Sequence, residues 1–344
     1  MREVGFIMDD KYNLAFTFAN EILIETDRLI LRPFSKKDVD RIHMAWSNPQ
    51  SYRYNSIDWD RDAVEELVGA ELPTDYGMYL LVAELKQNVG KLKKGQIVAT
   101  CRFGSPGFPE NNNEHWGFGY CVFRSDDKLD YTLEDIRQTY KQDGLTRDDL
   151  YQGHQFGQEM LEAIIFEAKN LGVKYIEDGA DINNHGSLKV MIKNGFVHKM
   201  EMDKEGNLID VDEDCDFTYT LDLTKPTQEL TKEEISSRWE QHLKLVDKNN
   251  KLYKAEKEEL DKKHYLKSVL YLMFSRLKKN KTKTAKEEVV SIFKQLNKDE
   301  IENLLLVMKE RKDVWKEYNN TEYLNLLNIV ESIMDEMQVI SEEE

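Results

Sequence analysis

The distribution of hydrophobic residues divides the chain into a part with strand-like alternation and a part with helical spacing. A period of two predicts strands that bury one face, whereas a period of 3.6 predicts helices with one apolar side. We expect the first four strands to form an antiparallel run, with a long turn rich in glycine, proline and asparagine at 104–113. Strands are predicted at 29–32, 78–83, 97–103, 115–123, 173–177 and 217–221, and helices at 36–46, 60–69, 158–170 and 188–193.

A second pattern begins near Pro226, beyond which the chain contains no further proline. Capping boxes, in which a glutamate follows a threonine or asparagine by three positions, start at Thr231 and Thr284, among others. Apolar residues there recur with helical spacing. The sequence therefore predicts a linker at 224–230, followed by an all-α domain of four or five helices at 231–344.

The overall composition narrows the class of protein. With 344 residues the chain is expected to hold more than one compact domain. No apolar run approaches the roughly 20 residues needed to span a bilayer, and the first residues lack the apolar core of a signal peptide. Cys101, Cys121 and Cys215 are widely spaced, which favours reduced core thiols over disulfides or metal ligands. We expect a cytoplasmic protein without a membrane segment.

The charge is unevenly divided between the two parts. Residues 1–224 contain 25 basic and 41 acidic side chains, whereas residues 225–344 contain 23 and 24. Nucleic acid binding depends on neutralising phosphates with lysine and arginine, so the acidic part disfavours a nucleic acid partner. It favours a cationic acceptor such as an amine, although solubility alone explains the charge equally well. A basic segment at 278–283 could contact RNA or phosphate, but the neutrality of the C-terminal part favours a solvated loop.

The segment Gln152–Gly157 joins a glycine-containing loop directly to the amphipathic helix predicted at 158–170. A helix N-terminus presents unpaired backbone N–H groups and the positive end of a dipole, so such a loop suits a phosphate or pyrophosphate. By itself the motif is equally typical of an ordinary helix-entry turn. Further motifs follow along the chain. Asn184 and Ser187 precede a short predicted helix, and Asn194–Gly195 marks its end.

This order of motifs resembles the GCN5-related N-acetyltransferase (GNAT) superfamily, in which such a loop holds the pyrophosphate of acetyl-CoA. The segment 25–34, followed by Asp38 and Trp46, looks like the opening of the branch that acetylates the N-termini of ribosomal proteins. The resemblance covers residues 21–223, after an N-terminal extension at 1–20. It implies the α+β fold of that superfamily, a mixed and mostly antiparallel sheet flanked by helices, here followed by the all-α domain.

The resemblance also implies a set of residues that bind acetyl-CoA as the acetyl donor, with no metal. In the family, the backbone of the strand at 120–122 would hold the pantetheine arm and polarise the thioester carbonyl, while the loop would hold the pyrophosphate. The cofactor-binding residues predicted in this way are Tyr120, Cys121, Val122, Gln152, Gly153, His154, Gln155, Phe156, Gly157, Asn184 and Ser187.

Acetyl transfer to an amine needs a base for the amine proton and a donor for the departing thiolate. The resemblance implies Ser187 as the donor, although capping of the short helix is an alternative role for it. Glu114 or His115, at the start of the strand that contains 120–122, could act as the base. Either could equally be a surface residue. The chain departs from the family pattern in two places, with Met191 where many members have a tyrosine and Gln155 where a glycine is usual.

An insert at 124–151 is longer than the usual connection of the family, and its apolar spacing predicts a helix beside the cofactor loop. It could shape the acceptor cleft, act as a lid, or form a passive surface excursion.

These features together predict an acetyl-CoA-dependent N-acetyltransferase. Its acceptor would be a peptide or protein N-terminus, or a small cationic molecule such as a polyamine or an aminoglycoside. The alternative from another class is a degenerate GNAT fold used only for binding. The C-terminal helices could form a homodimer interface, clamp the acceptor or recruit a protein partner.

Overall fold

The structure is a computed structural model of the chain, and most of the sequence is described in it. The predicted helix at 60–69, the turn at 104–113 and the centre of the basic segment at 278–283 lie largely outside the described residues, and Cys215 lies wholly outside them. The described residues are 6–8, 13–17, 21–52, 61, 64–65, 67, 78–104, 114–141, 147–148, 150–203, 205–211, 216–226, 230–279, 283–317 and 320–343.

A ten-stranded sheet forms the centre of the N-terminal part of the chain, within the described residues. The strands among the described residues, ten of which form this sheet, are β1 (Phe6–Met8), β2 (Asn13–Thr17), β3 (Glu21–Glu25), β4 (Leu29–Pro33), β5 (Met78–Leu85), β6 (Ile97–Gly104), β7 (His115–Val122), β8 (Tyr175–Asp181), β9 (Val197–Lys199), β10 (Glu201–Met202), β11 (Leu208–Ile209) and β12 (Asp216–Asp222). Their order is β1-β2-β3-β4-β5-β6-β7-β8-β12-β9, with β10 and β11 as a separate hairpin. Among the strand pairs of the described residues only β7 and β8 are parallel, which confirms the predicted mixed, mostly antiparallel sheet. The predicted N-terminal extension contributes β1 and β2 to its edge.

Helices flank this sheet and make up the C-terminal part. They are α1 (Val39–Trp46), α2 (Pro49–Tyr52), α3 (Leu133–Lys141), α4 (Phe156–Asn170), α5 (His185–Lys193), α6 (Lys232–Leu252), α7 (Lys254–Lys279), α8 (Lys283–Phe293), α9 (Lys298–Glu317) and α10 (Thr321–Glu343). The all-helical character of the chain beyond β12 is therefore confirmed. No helix in the described part of the chain combines the length and the apolar character that crossing a membrane requires.

The sheet carries an apolar core on each face, and β7 contributes to both. One core contains apolar side chains of α4 and α5, and the other contains those of α1. Because side chains of a strand alternate between faces, Tyr120 and Val122 pack against the first core and Cys121 against the second. The end of β7 thus presents different side chains to the two sides of the sheet.

The chain separates into two compact units. The first comprises Met1–Leu129 and Asp143–Lys254, and it includes α6, where His242 Nδ1 lies 2.8 Å from the Tyr219 hydroxyl. The second comprises Asp130–Gln142 and Ala255–Glu344. The predicted linker at 224–230 lies within the first unit, so as a boundary between folding domains it stays a prediction.

The helix predicted in the insert is α3, and it belongs to the second unit. Its apolar residues Leu133 and Ile136 are buried in one core with residues of α7 to α10. Its Arg137 Nη2 donates to the Gln295 carbonyl at 2.7 Å and lies 3.2 Å from Glu300 Oε2. The centre of the insert is therefore a packed element of the helical unit.

Candidate active site

The parallel pairing of β7 and β8 covers only two residue pairs in the described structure. Its register runs from His115 opposite Tyr175 to Trp116 opposite Ile176. Beyond these positions β7 stays paired with β6, and β8 stays paired with β12. The two strands are therefore paired with each other only near their N-terminal ends, which leaves a gap in the sheet between their C-terminal halves.

The loop before α4 ends in a helix N-terminus that no side chain caps among the described residues. Gln155 precedes the helix with φ 64° and ψ 25°, and no other described residue except glycine has a positive φ. A left-handed conformation costs an L-residue about 1–2 kcal/mol, so the chain keeps here the backbone that glycine adopts readily. Since the Glu159 amide donates to the Gln155 carbonyl at 3.0 Å, the amides of 156–158 precede the helical ladder and are available to an anion.

The N-terminal motif at 25–34 anchors the first turn of α4. Arg28 Nε donates to Glu159 Oε2 at 2.7 Å, and its Nη2 donates to the His154 carbonyl at 2.8 Å. The Arg28 amide and the Thr26 hydroxyl donate to the other carboxylate oxygen of Glu159. The segment 25–34 thus binds the loop through the His154 carbonyl and the helix through the Glu159 carboxylate.

The Tyr120 side chain contacts both helices that border the open end of the gap. Its hydroxyl hydrogen-bonds with the Ser187 side chain, and burial raises the pKa of its phenol to about 12, so it is a protonated donor at neutral pH. The ring lies against Gly157, where a Cβ atom would be 2.7 Å from Tyr120 Cε2. Asn184 Oδ1 accepts from the Ser187 amide at 3.4 Å, so Asn184 caps α5. The cap therefore uses the backbone amide of Ser187, whereas the Ser187 hydroxyl hydrogen-bonds with Tyr120.

Asp178 of β8 lies in the gap itself. Its carboxylate accepts hydrogen bonds from the amide of Gly179 at 2.8 Å and from the amide of Phe118 on β7. Burial raises the pKa of this carboxyl to about 7, against the opposing effect of the positive charge of Arg102. Arg102 extends from β6 across Gly119, where a Cβ atom would lie 2.8 Å from its Nε. The gap therefore holds a carboxyl that changes charge near neutral pH.

The two predicted bases lie at the paired end of β7. The Glu114 carboxylate forms an ion pair with Lys174, and this hydrogen bond lowers its pKa. His115 stacks on Tyr175 with ring centroids 4.9 Å apart. Five strand positions, or about 17 Å at roughly 3.3 Å per residue, separate His115 from Tyr120. The fold does not bring Glu114 or His115 to the open end of the gap, and their role as base stays a prediction that the geometry disfavours.

Several of the predicted cofactor-binding side chains serve the structure of the loop and sheet. The Gln152 side-chain oxygen accepts from the Asp148 amide at 3.1 Å, and the His154 and Phe156 rings lie 5.5 Å apart. Cys121 projects to the face opposite Tyr120, and burial raises the pKa of its thiol to about 11. A ligand at this loop would therefore meet mainly backbone groups.

Two side chains of the site were not predicted as catalytic from the sequence, the phenol of Tyr120 and the carboxyl of Asp178. Tyr120 alternates with apolar residues, a pattern that equally indicates a core position. Asp178 lies just beyond Glu177, where the predicted strand stops. The available signal was an acidic residue two positions after the buried Ile176, but only the separation of β7 and β8 shows what it faces.

Known structures resemble the chain over somewhat more than half of its length, and no curated protein sequence matches it. A GNAT-family acetyltransferase from Bacillus anthracis is 14% identical, with TM-score 0.40, over 59% of this chain and 100% of that chain. Spermidine N-acetyltransferase from Vibrio cholerae, solved with CoA and spermine, is 14% identical, with TM-score 0.40, over 57% and 96%. RimL, a ribosomal L7/L12 alpha-N-protein acetyltransferase, is 14% identical, with TM-score 0.39, over 59% and 94%.

The sequence family described as "Acetyltransferase (GNAT) domain" matches residues 28–197. The match begins at Arg28, which binds the first turn of α4, and it includes both strands that border the gap. It also includes the loop with Gln155 and the Tyr120–Ser187 pair. Residues 28–197 of this chain are an acetyltransferase domain of the GNAT family.

Proposed function

We propose that the chain is an acetyl-CoA-dependent N-acetyltransferase that moves an acetyl group to an amine by direct attack in a ternary complex. The acceptor is a protein N-terminus or another cationic amine. The observation that carries the proposal is the gap between β7 and β8, with an uncapped helix N-terminus and the Tyr120–Ser187 hydrogen bond at its open end. The open end of the gap thus combines a site for an anion, a slot bordered by strand backbone, and two hydroxyl groups that can donate protons.

The residues of the loop fit the phosphates of acetyl-CoA. Gly153 and Gln155 both have a positive φ, 84° and 64°, and successive amides in such conformations form concave anion sites. With the amides of 156–158 they would hold the pyrophosphate, and the unpaired edge of β7 would hold the pantetheine arm. Bound acetyl-CoA supplies a thioester carbon that an amine can attack.

Ser187 and Tyr120 would act on the sulfur. The Ser187 hydroxyl would donate to the departing thiolate, and Tyr120 would orient that hydroxyl and resupply its proton. Burial keeps the phenol protonated at neutral pH. Met191, at the position where many family members carry a tyrosine, is 3% exposed in the apolar core and has no proton to give.

Isothermal titration of the purified full chain with acetyl-CoA tests the first half of the proposal. We expect saturable binding to one site, and ADP serves as the control for unspecific binding of polyphosphates. If no heat of binding is detected at high acetyl-CoA concentration, the enzyme proposal fails and the alternative of a GNAT-fold binding module takes its place.

The second half is tested by following thiol release from acetyl-CoA with a panel of amines. The panel contains a short peptide with a free N-terminus, spermidine and an aminoglycoside, and the same peptide with a blocked N-terminus is the control. A small cationic acceptor is the second candidate, since the 41 acidic against 25 basic residues of 1–224 attract any cation. Turnover of spermidine or the aminoglycoside alone would select that candidate over the peptide.

A further inference from the structure

Asp178 lies two register positions beyond the last pair of β7 and β8. That pair is Trp116 opposite Ile176, so Phe118 and Asp178 would face each other if the ladder continued. In a regular parallel ladder the Phe118 amide would donate to a backbone carbonyl. Here it donates to the Asp178 carboxylate. The side chain thus occupies the point where the two strands begin to part.

The charged and titratable groups near this carboxyl lie on β6, β7 and β12. Arg102 extends from β6 across Gly119 and favours the ionised form. Tyr120 on β7 is close enough for the carboxylate to raise the pKa of its phenol further, and its hydroxyl is bonded to Ser187 of α5. On β12 the register partner is Tyr219, whose hydroxyl hydrogen-bonds elsewhere. Of these groups, Arg102 supplies the positive charge.

We infer that Asp178 is the general base of the transfer, taking the proton that the acceptor amine loses as its nitrogen attacks the acetyl carbon. The inference rests on the proposed function. The C–N bond forms and the C–S bond breaks, the amine proton moves to Asp178, and the sulfur receives a proton from the Ser187–Tyr120 pair. The products are the acetylated amine and the free thiol of coenzyme A. Asp178 then releases its proton to solvent, and the hydroxyl pair regains one.

The acid–base properties of the residues support this assignment. Burial raises the pKa of Asp178 to about 7, and a base works best when its pKa lies near the operating pH. Glu114 has a lowered pKa because of its hydrogen bond with Lys174, and its side chain is 50% exposed at the paired end of β7. Asp178 therefore combines the better position with the better matched basicity.

The ionisation of Asp178 can be followed without any acceptor through the Phe118 amide, which donates to its carboxylate. In the 15N-labelled full chain we expect the chemical shift of this amide to titrate with a midpoint near pH 7. Asp178→Asn should abolish the titration. Arg102→Gln should move the midpoint to higher pH, because the positive charge of Arg102 favours the ionised carboxyl. A Phe118 amide that titrates unchanged in Asp178→Asn overturns the inference.

Steady-state kinetics with an acceptor that the wild type acetylates test the role in catalysis. Asp178→Asn should lower kcat/KM by about 10²–10⁴-fold and remove the fall in rate on the acidic side of pH 7, with acetyl-CoA affinity unchanged. Asp178→Glu should restore part of the rate. Glu240→Gln, at an exposed position of α6, is the control and should leave both the rate and its pH profile unchanged.

The two ways of failing are distinguishable. A folded Asp178→Asn chain that keeps the wild-type rate and acidic limb overturns the inference and leaves the proposed function intact. A wild-type chain that binds no acetyl-CoA, or acetylates no amine, overturns the proposed function and the inference with it. If Asp178→Asn does not fold, Arg102→Gln provides the test. The acidic limb of the pH–rate profile should move to higher pH in this variant, and a limb that stays in place overturns the inference.

Discussion

Arg28 and Glu159 form an ion pair in which Nε and Nη2 lie 2.7 and 2.6 Å from the same carboxylate oxygen. The side chains are 29% and 12% exposed, so solvent screens the pair only in part. Because the same guanidinium also binds the His154 carbonyl, this contact connects the strand-opening motif with the loop that would hold phosphate. The motif therefore has a structural role at the loop before α4.

Loss of this ion pair should loosen the loop. Arg28→Met leaves the Glu159 carboxylate and the His154 carbonyl short of a donor, so we expect a loss of about 1–3 kcal/mol in stability and weaker acetyl-CoA binding. Thermal unfolding and isothermal titration measure the two effects. Arg61→Met is the matched control, because Arg61 forms exposed ion pairs with Asp40 and Glu65 and should change neither. Equal effects of both substitutions would contradict a positioning role for Arg28.

The left-handed backbone of Gln155 should make glycine the better residue at that position. Gln155→Gly removes a conformational cost of about 1–2 kcal/mol and adds an unfolded-state entropy cost of about 0.5–1 kcal/mol. We therefore expect a gain in stability between about 0 and about 1.5 kcal/mol, the difference between these two effects. Gln158→Gly, at the third residue of the same helix, should instead lose stability. Urea unfolding measures the free energy of unfolding of both variants. A lower stability of Gln155→Gly would mean that the Gln155 side chain makes contacts that outweigh the backbone strain.

Gly157 should not tolerate a side chain. In Gly157→Ala the new Cβ would lie 2.7 and 2.9 Å from two atoms of the Tyr120 ring, which forces the ring or the helix to move and costs roughly 1–3 kcal/mol. Acetyl-CoA affinity should fall with it. Gly186→Ala provides the control at the same position of α5, where the nearest atom is 3.9 Å away and alanine favours the helix. If both variants bind acetyl-CoA like the wild type, the Tyr120 ring is not held by Gly157.

Removal of the Ser187 hydroxyl should affect turnover more than binding. We expect Ser187→Ala to lower kcat on the order of 100-fold with acetyl-CoA affinity close to that of the wild type, and Tyr120→Phe to act in the same direction. Steady-state kinetics and isothermal titration separate the two quantities. Ser236→Ala, an exposed serine of α6, should change neither. Equal losses of kcat and affinity in Ser187→Ala would make this residue structural.

The buried carboxyl of Glu167 should make stability depend on pH. Glu167 lies on α4 at 0% exposure, and neither carboxylate oxygen has a hydrogen-bond partner among the described residues. Burial raises its pKa to about 7 from the ordinary 4.5. The folded state therefore binds a proton that the unfolded state lacks between about pH 4.5 and 7, and stability falls as the pH rises through that window.

Glu167→Gln removes this titration. Its stability relative to the wild type should increase from pH 4.5 to pH 8 by about 3 kcal/mol, from roughly 1.4 kcal/mol per pH unit. Urea unfolding at several pH values measures the difference, and the exposed Glu240→Gln on α6 should follow the wild-type curve. A constant difference between Glu167→Gln and the wild type across this range would show that Glu167 is not held protonated in the fold.

The positions of most strands and helices follow from local properties of the sequence. The period of two predicted the strands on either side of 104–113, and the apolar spacing at 133–140 predicted α3, because each pattern reflects which face of a single element is buried. The family motifs predicted the loop, Asn184 and Ser187 on the same local basis. Glu114 and His115 were chosen by their position along one strand, which says nothing about the neighbouring strand.

The sequence by itself determined the order of the elements, the GNAT resemblance and the helix N-terminus at the loop, since these depend on residues close together in the chain. Only the tertiary structure decided what meets at the open end of the gap. Tyr120 and Ser187, 67 positions apart, share a hydrogen bond, and Asp178 accepts from Phe118 because β7 and β8 separate after two pairs. Such contacts depend on how distant strands and helices pack, which no local pattern encodes.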